Sequence, residues 1–419
     1  MVRVTRQSTL WLQLLFCFGL ASFYFYDYLL RVLPSVISRG IIEAYDLSFL
    51  SFGRLCAAYY FIYVPMQLLI GLLVDRYQLI YLTTLALLLS ALGCCLFANA
   101  HYALLAEIGR IVMGVGAGFI FIILLKAVTE HIIQKQFTFF IGTVMGIGMS
   151  GGLITDMTFV FIARSWGWRL SCYLISFAGL IFTALSLWYF FRDRKTSYIS
   201  GILPTWREDI NNIKMLLKDR QLWINCVIGA ALYLPISGFV ESWGIRYLNE
   251  ANQLSSLSAS IAMSLFFLGF AIGAPILGWC YDRTRQYQMI LTSGAVGMTI
   301  LISIVLYVPD LSAFTLAIYL FALGFCSASL IIIFALNQEK VEVQNVGKVF
   351  GMTNFVIMLA GGAAWLIGLF IHCLAPYARI NSLINATSKY QLAFLILPTA
   401  LLFAVFLSFY VRDAKEWNQ

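Results

Sequence analysis

Apolar residues dominate near 11–37, 49–74, 78–98, 102–126, 137–163 and 170–191, and again near 221–247, 257–280, 287–308, 311–336, 348–374 and 391–411. A helix needs about 20 apolar residues to cross a bilayer, and these runs are of that order. Lipid offers a backbone amide no partner, and no run shows the two-residue alternation of a barrel strand, so every run is expected to be helical. The pattern predicts an all-α membrane protein with 12 transmembrane helices, six on each side of a polar break. The expected divisions are 1–191, a cytoplasmic linker at 192–220, and 221–419. Arg3 and Arg6 precede the first run as they would in a signal peptide. That run continues past Phe25 without a small-residue cleavage site, so it reads as the first span.

The break has structure of its own. Thr205 and Glu208 stand at capping-box spacing, which predicts a short helix starting there. Trp206, Ile210, Ile213 and Leu217 then share one face, opposite Asp209, Asn212 and Lys218. An amphipathic helix lying on the inner membrane surface is expected.

Composition narrows the class further. Only 11% of residues are charged and 61% are hydrophobic, against roughly 25% charged in soluble chains. Soluble enzymes, nucleic-acid binders and secreted disulfide scaffolds are excluded on that ground. The net charge of +8 reads as loop lysine and arginine that set orientation. With the N-terminus inside, seventeen basic residues fall on cytoplasmic segments and six on outer segments or span ends, so both termini are expected inside. Cys94, Cys95, Cys226 and Cys326 lie in apolar runs and serve as small hydrophobes.

An internal repeat carries the fold assignment. Residues 71–76 read Gly-Leu-Leu-Val-Asp-Arg and residues 278–283 read Gly-Trp-Cys-Tyr-Asp-Arg, each at the inner end of the second helix of its half. Two copies at equivalent places in a six-plus-six pattern resemble the major facilitator superfamily (MFS) over essentially the whole chain. The family's loop motif continues with a glycine and a basic pair; here Gln78 replaces the glycine and the pair is missing. The resemblance implies two pseudo-symmetric six-helix bundles. It also implies a gating latch at Gly71, Asp75 and Arg76 and at Gly278, Asp282 and Arg283. Glycine lets helices approach closely, and an aspartate at a helix end can face the positive N-terminus of another helix.

Arg110, Gly114, Gly116 and Gly118 are similar to the family's fourth-helix pattern. No strand precedes them, so they do not form a dinucleotide loop. Glu107 shares a helix face with Arg110, so the two can neutralise each other. In the fifth run Gly142, Gly146, Gly148, Ser150, Gly151 and Gly152 occur without the proline that many antiporters of the family carry there, a departure that leans toward uptake.

Charge inside the spans gives the candidate site, because each such residue costs at least ~2.5–3.5 kcal/mol. Tyr24, Asp27, Tyr28 and Arg31 share one face of the first helix. Arg31 is expected roughly 9 Å, and Asp27 roughly 15 Å, inside the outer end. Arg54, Glu107, Arg110, Asp156, Glu241 and Arg246 fall in the same outer half, giving four acids and four bases in one layer. The layer can close an outer gate, bind a charged solute through arginine, or hold a proton. Lys126, near the inner end of its span, is expected to snorkel to the cytoplasmic surface. Tyr60, Tyr63, Gln67, Tyr233, Asn354 and Trp365 can line a cavity. His101, His131 and His372 show no metal-ligand clustering, and Asn385-Ala386-Thr387 matches a glycosylation sequon.

The expectation is a secondary active transporter moving a small polar or charged solute by alternating access, through proton-coupled uptake, or symport. It is expected to be neither an enzyme nor a nucleic-acid binder, to need no cofactor or metal, and to act as a monomer. Tyr24 to Ser35 and Gly238 to Leu248 resemble bacterial nutrient- or siderophore-type carriers, which implies a bacterial inner membrane. Alternatives are an organic-anion or phosphate exchanger, drug or siderophore efflux, and a transporter-like solute sensor.

Overall fold

The structure is a computed structural model describing residues 6–132, 136–192, 206–339, 341, 345–380 and 386–412. The first half of the chain runs through α1 (Arg6–Val36), α2 (Ser38–Tyr45), α3 (Phe49–Arg76), α4 (Leu79–Ala98), α5 (Ala103–His131), α6 (Phe137–Trp166) and α7 (Trp168–Arg192). The linker helix α8 (Trp206–Lys218) follows. The second half holds α9 (Arg220–Glu250), α10 (Ser256–Thr284), α11 (Tyr287–Tyr307), α12 (Ala313–Gln338), α13 (Val346–Leu374) and α14 (Lys389–Ser408). Eleven of the described helices are long and apolar enough to cross a membrane. With the 31-residue α1 they make the twelve that the apolar runs predict.

Local chemistry sets several boundaries. Ser48, Ser255 and Ser312 each accept a backbone N–H from the first turn of α3, α10 and α12, and Asp219 does so for α9. Each satisfies a donor that a helix start leaves open. Pro235 ends the regular winding of α9, and Ile236–Trp243 follows as a π-helical stretch. A second π-turn, Thr155–Phe159, interrupts α6. The short helix α2 was not expected, since the first apolar run stops before it. Asp46 closes it in the left-handed conformation, its N–H bonded to the Ile42 carbonyl.

The two sets of six helices meet along two seams. One joins α3 to α13 and the other α6 to α10. We call the face where α1 begins the N-terminal face and the opposite one the far face. Both seams are closed at both faces. At the N-terminal face a Cβ on Gly71 would stand 2.7 Å from the Gly347 carbonyl and 3.2 Å from Gly351 Cα, and one on Gly278 would meet Thr138 and Phe139. At the far face Gly53 lies against Ala364 and Gly368, and α10 packs against Thr155–Phe159 and Val160–Trp166 of α6, while Gly152, midway along α6, lies against the Phe267 ring. Glycine is needed at Gly71 because two backbones touch there. Gly71→Val is therefore expected to part the seam at the N-terminal face, speeding maleimide labelling of a cysteine placed at Ile357 several-fold from that side. An unchanged labelling rate would show that the seam tolerates the extra bulk.

The linker helix forms as expected, with Thr205 outside the described residues. Asn212 Nδ2 donates to Asn345 Oδ1 at 3.2 Å and Leu216 packs toward Leu222 and Val349, whereas Leu217 is exposed. The side with Asn212 thus meets the loop before α13.

Candidate functional site

Four residues of α1 point one helix face toward the seam between the two halves. Asp27 and Arg31, one turn apart, are both buried and joined Nε to Oδ2 at 2.7 Å. Tyr59 of α3 donates to the other Asp27 oxygen at 2.6 Å. The far nitrogens of Arg31 donate to Tyr63 at 2.8 Å and Tyr233 at 3.1 Å, with the Met358 sulfur at 3.8 Å. The Tyr28 and Tyr63 rings face the guanidinium at 5.2 and 4.8 Å, a favourable arrangement for a desolvated cation.

The network crosses to the second half. Tyr60 and Tyr233 both donate to Glu241, which lies on the π-helical stretch of α9. Asn354 of α13 donates to Tyr63 at 3.3 Å and to Gln67 at 2.8 Å, and Gln67 donates to the Gly118 carbonyl. Asp27, Arg31 and Glu241 are each 2% exposed or less. Hydrogen bonds of this kind are what allow ionised groups to be buried.

Beneath this network lies a chamber lined by Tyr24, Tyr28, Tyr63, Phe121, Met145, Met149, Tyr233, Phe334, Asn354 and Met358 among others. About 10 Å³ is open to the centre of a water molecule, room for about one water. Phe121 and Phe334 close it toward the N-terminal face, their rings 5.1 Å apart. Trp365, expected at a cavity, is only half-buried and does not line the chamber. Tyr60 and Gln67 reach it through their hydrogen bonds alone.

The eight outer charges do not form one connected network. Glu107 pairs with Arg54 at 2.8 Å at a half-exposed site, which corrects the expected Glu107–Arg110 pair. Arg110 instead donates to the Leu30 carbonyl at 2.7 Å and lies over the Tyr59 ring. Arg246 pairs with Glu250 at 2.8 Å and not with Glu241. Arg246 and Lys389 both sit over the Phe49 ring of the opposite half, at 4.5 and 4.9 Å, making a far-face contact. Asp156 is buried with no hydrogen-bond partner among the described residues.

The motif aspartates both bridge the seams. Asp75 pairs with Lys126 of α5 and, at 3.4 Å, with Lys348 of α13. Lys126 is therefore buried in an ion pair, not snorkelling; the acid one helix away holds it inside. Asp282 of α10 accepts the Thr138 and Phe139 N–H groups at 3.3 and 2.9 Å, capping the start of α6. Arg283 lies over Trp279 of its own helix at 5.5 Å, and the bridge to another helix comes from Arg285, paired with Glu339.

Sequence reasoning missed Lys348, Tyr59 and Phe49 as parts of these contacts. Lys348 looked like one more positive-inside residue, and nothing local distinguishes it. Among the described residues no group of three or more metal-ligating side chains comes together. Asn385 of the sequon lies outside the described residues.

Comparison with known proteins gives a consistent result. The sequence profile of the Major Facilitator Superfamily matches residues 12–365. The membrane sensor protein UhpC of Salmonella typhimurium is 23% identical over 66% of this chain and 63% of its own length. UhpC of Escherichia coli is 21% identical over 66% of this chain and 64% of its own. The chain thus matches a little under two thirds of these relatives. Crystal structures of a bacterial homolog of the human lysosomal transporter Spinster share the fold. The inward-facing occupied form has a TM-score of 0.70 at 13% identity, over 94% of this chain and 96% of that one. The inward-facing unoccupied form has 0.72 at 14% identity, over 95% and 96%.

Proposed function

The chain belongs to the Major Facilitator Superfamily; from that premise we propose that it is a secondary transporter of a small solute across a lipid bilayer, and what it carries and how. The bundles are residues 1–191 and 221–419, with 192–220 as linker. The N-terminal face is cytoplasmic and the membrane is a bacterial inner membrane. The solute has a polar or anionic head and an apolar body, and its uptake is driven by protons.

The observation that carries this reading is the Arg31 guanidinium. Its Nε is committed to Asp27, but Nη1 and Nη2 bond to three residues that line the chamber, Tyr63, Tyr233 and Met358, and the last of these partners is a thioether sulfur at 3.8 Å. Sulfur is a weak acceptor, so a carboxylate or phosphate oxygen replaces it at a gain. The aromatic and methionine walls then receive the apolar part of the solute. Because the chamber is closed on both sides, loading needs one seam to open, as alternating access requires.

A panel of labelled solutes in proteoliposomes tests this. Small amphipathic carboxylates or phosphates are expected to accumulate, and a pH gradient acid outside is expected to raise accumulation at least tenfold. Accumulation of neutral sugars in preference to anions would overturn the substrate class. A sensor is the second reading, favoured by the similarity to UhpC. It requires solute binding to the protein without net flux in the same vesicles.

A further inference from the structure

The acidic groups buried in the spans have partners, with one exception. Asp27 has Arg31 and Tyr59, Glu241 has two tyrosine hydroxyls, Glu107 has Arg54, Asp75 has two lysines and Asp282 has two amides. Asp156 is 1% exposed, and neither carboxyl oxygen has a hydrogen-bond partner among the described residues. It lies on the π-turn Thr155–Phe159, packed against α1 and α10. Such turns are frequent at functional sites. Ser260, near the far-face start of α10, also has a buried hydroxyl without a partner.

The charged and titratable groups of the surrounding helices are engaged elsewhere. On α1, Asp27 and Arg31 hold each other, Tyr24 and Tyr28 line the chamber, and Tyr26 lies against Gly179 and Phe182. On α10, Cys280, Tyr281, Asp282 and Arg283 lie at the opposite end of the helix. On α6 itself Arg164 is exposed. Among the described residues no base pairs with Asp156. An isolated ion in such surroundings costs far more than the neutral acid.

We propose that Asp156 binds a proton whenever the far face is closed and releases it to far-side water when α6 and α10 part there. The proton leaves its carboxyl oxygen for water, and the resulting carboxylate is hydrated in the opened seam. Re-closing with the charge in place is unfavourable, so closure of the far face waits for proton uptake. The inference goes beyond the proton-driven reading. This proton is taken from and returned to far-side water, so Asp156 gates closure of the far face and does not carry the proton that crosses the membrane. It also separates the proton from the solute, since Asp156 does not line the chamber. By linkage, whatever binds the closed state better shifts the equilibrium toward it, so low pH favours a closed far face.

The test uses the full chain in lipid nanodiscs without solute, so it stands or fails apart from the proposed substrate. Spin labels on Ser165→Cys and Leu257→Cys, one exposed site in each half, report the width of the far face in a background lacking native cysteines. The open-to-closed ratio is expected to rise about tenfold per pH unit through the transition, the slope for one proton. Asp156→Asn, which resembles the neutral acid, is expected to stay closed at all pH values. Asp156→Glu is expected to restore the pH dependence at a shifted midpoint. A wild-type pH profile in Asp156→Asn would overturn the proposal. So would a transition that follows sodium concentration at fixed pH. If Asp156→Asn does not fold, an unaltered slope and midpoint in Asp156→Glu would do the same.

Discussion

Arg31→Ala is expected to abolish solute binding and to cost about 3–5 kcal/mol of stability, the usual loss when one member of a buried ion pair is removed. The variant leaves Asp27 in the protein interior with only the Tyr59 hydroxyl as partner, and it removes donors to Tyr63 and Tyr233. Monodisperse yield and thermal midpoint in detergent measure the first effect, and equilibrium binding of the transported solute measures the second. The double variant Asp27→Asn/Arg31→Gln removes both charges and is expected to recover most of the midpoint without recovering binding. That outcome separates folding from recognition. If the double variant bound solute normally, Arg31 would be a structural residue only. Asp27→Asn alone asks whether the pair also carries the transported proton. A fixed pair predicts that folding, exchange and accumulation fail together. A proton role for Asp27 predicts lost pH-driven accumulation with exchange retained across equal pH.

The second large effect belongs to Asp75. In the closed arrangement it holds Lys126 of its own half and Lys348 of the other, all three side chains less than a tenth exposed. Asp75→Asn removes the carboxylate that two buried lysines share, and Lys126 keeps Glu130 at 3.6 Å. That arrangement is tolerable only when the seam opens to water. A loss of about 3–5 kcal/mol from the closed state shifts the balance about 10²–10⁴-fold toward opening at the N-terminal face. Transport is expected to slow far more than solute binding weakens, and a cysteine at Ile357 is expected to label faster from that face. Asp282→Asn is expected to have a smaller effect in the same direction, because it weakens two amide bonds at a helix start and strands no cation. Lost solute binding in Asp75→Asn with unchanged labelling would reject the latch.

The sequence by itself determined the elements and their order along the chain. Runs of about 20 apolar residues have one solution in lipid, so helix number and approximate bounds follow from composition along the chain. The repeated motif placed Asp75 and Asp282 at equivalent helix ends, and Asp282 does cap a facing helix start as its position suggested. Spacing within one helix also sufficed for Asp27 and Arg31, because four residues make one turn. What lies between helices was not legible. Glu107 had Arg110 on its own face, yet the packing of α3 against α5 delivered Arg54 to it and turned Arg110 to the Leu30 carbonyl. Lys126 had no acid nearby in sequence other than Glu130, and Asp75 reaches it across the same interface. Lys348 joined them only because Gly71 and Gly347 let α3 and α13 touch. The isolation of Asp156 was likewise a tertiary outcome. Its sequence neighbours are unremarkable, and the lack of a partner follows from where the helices packed against it place their own charges.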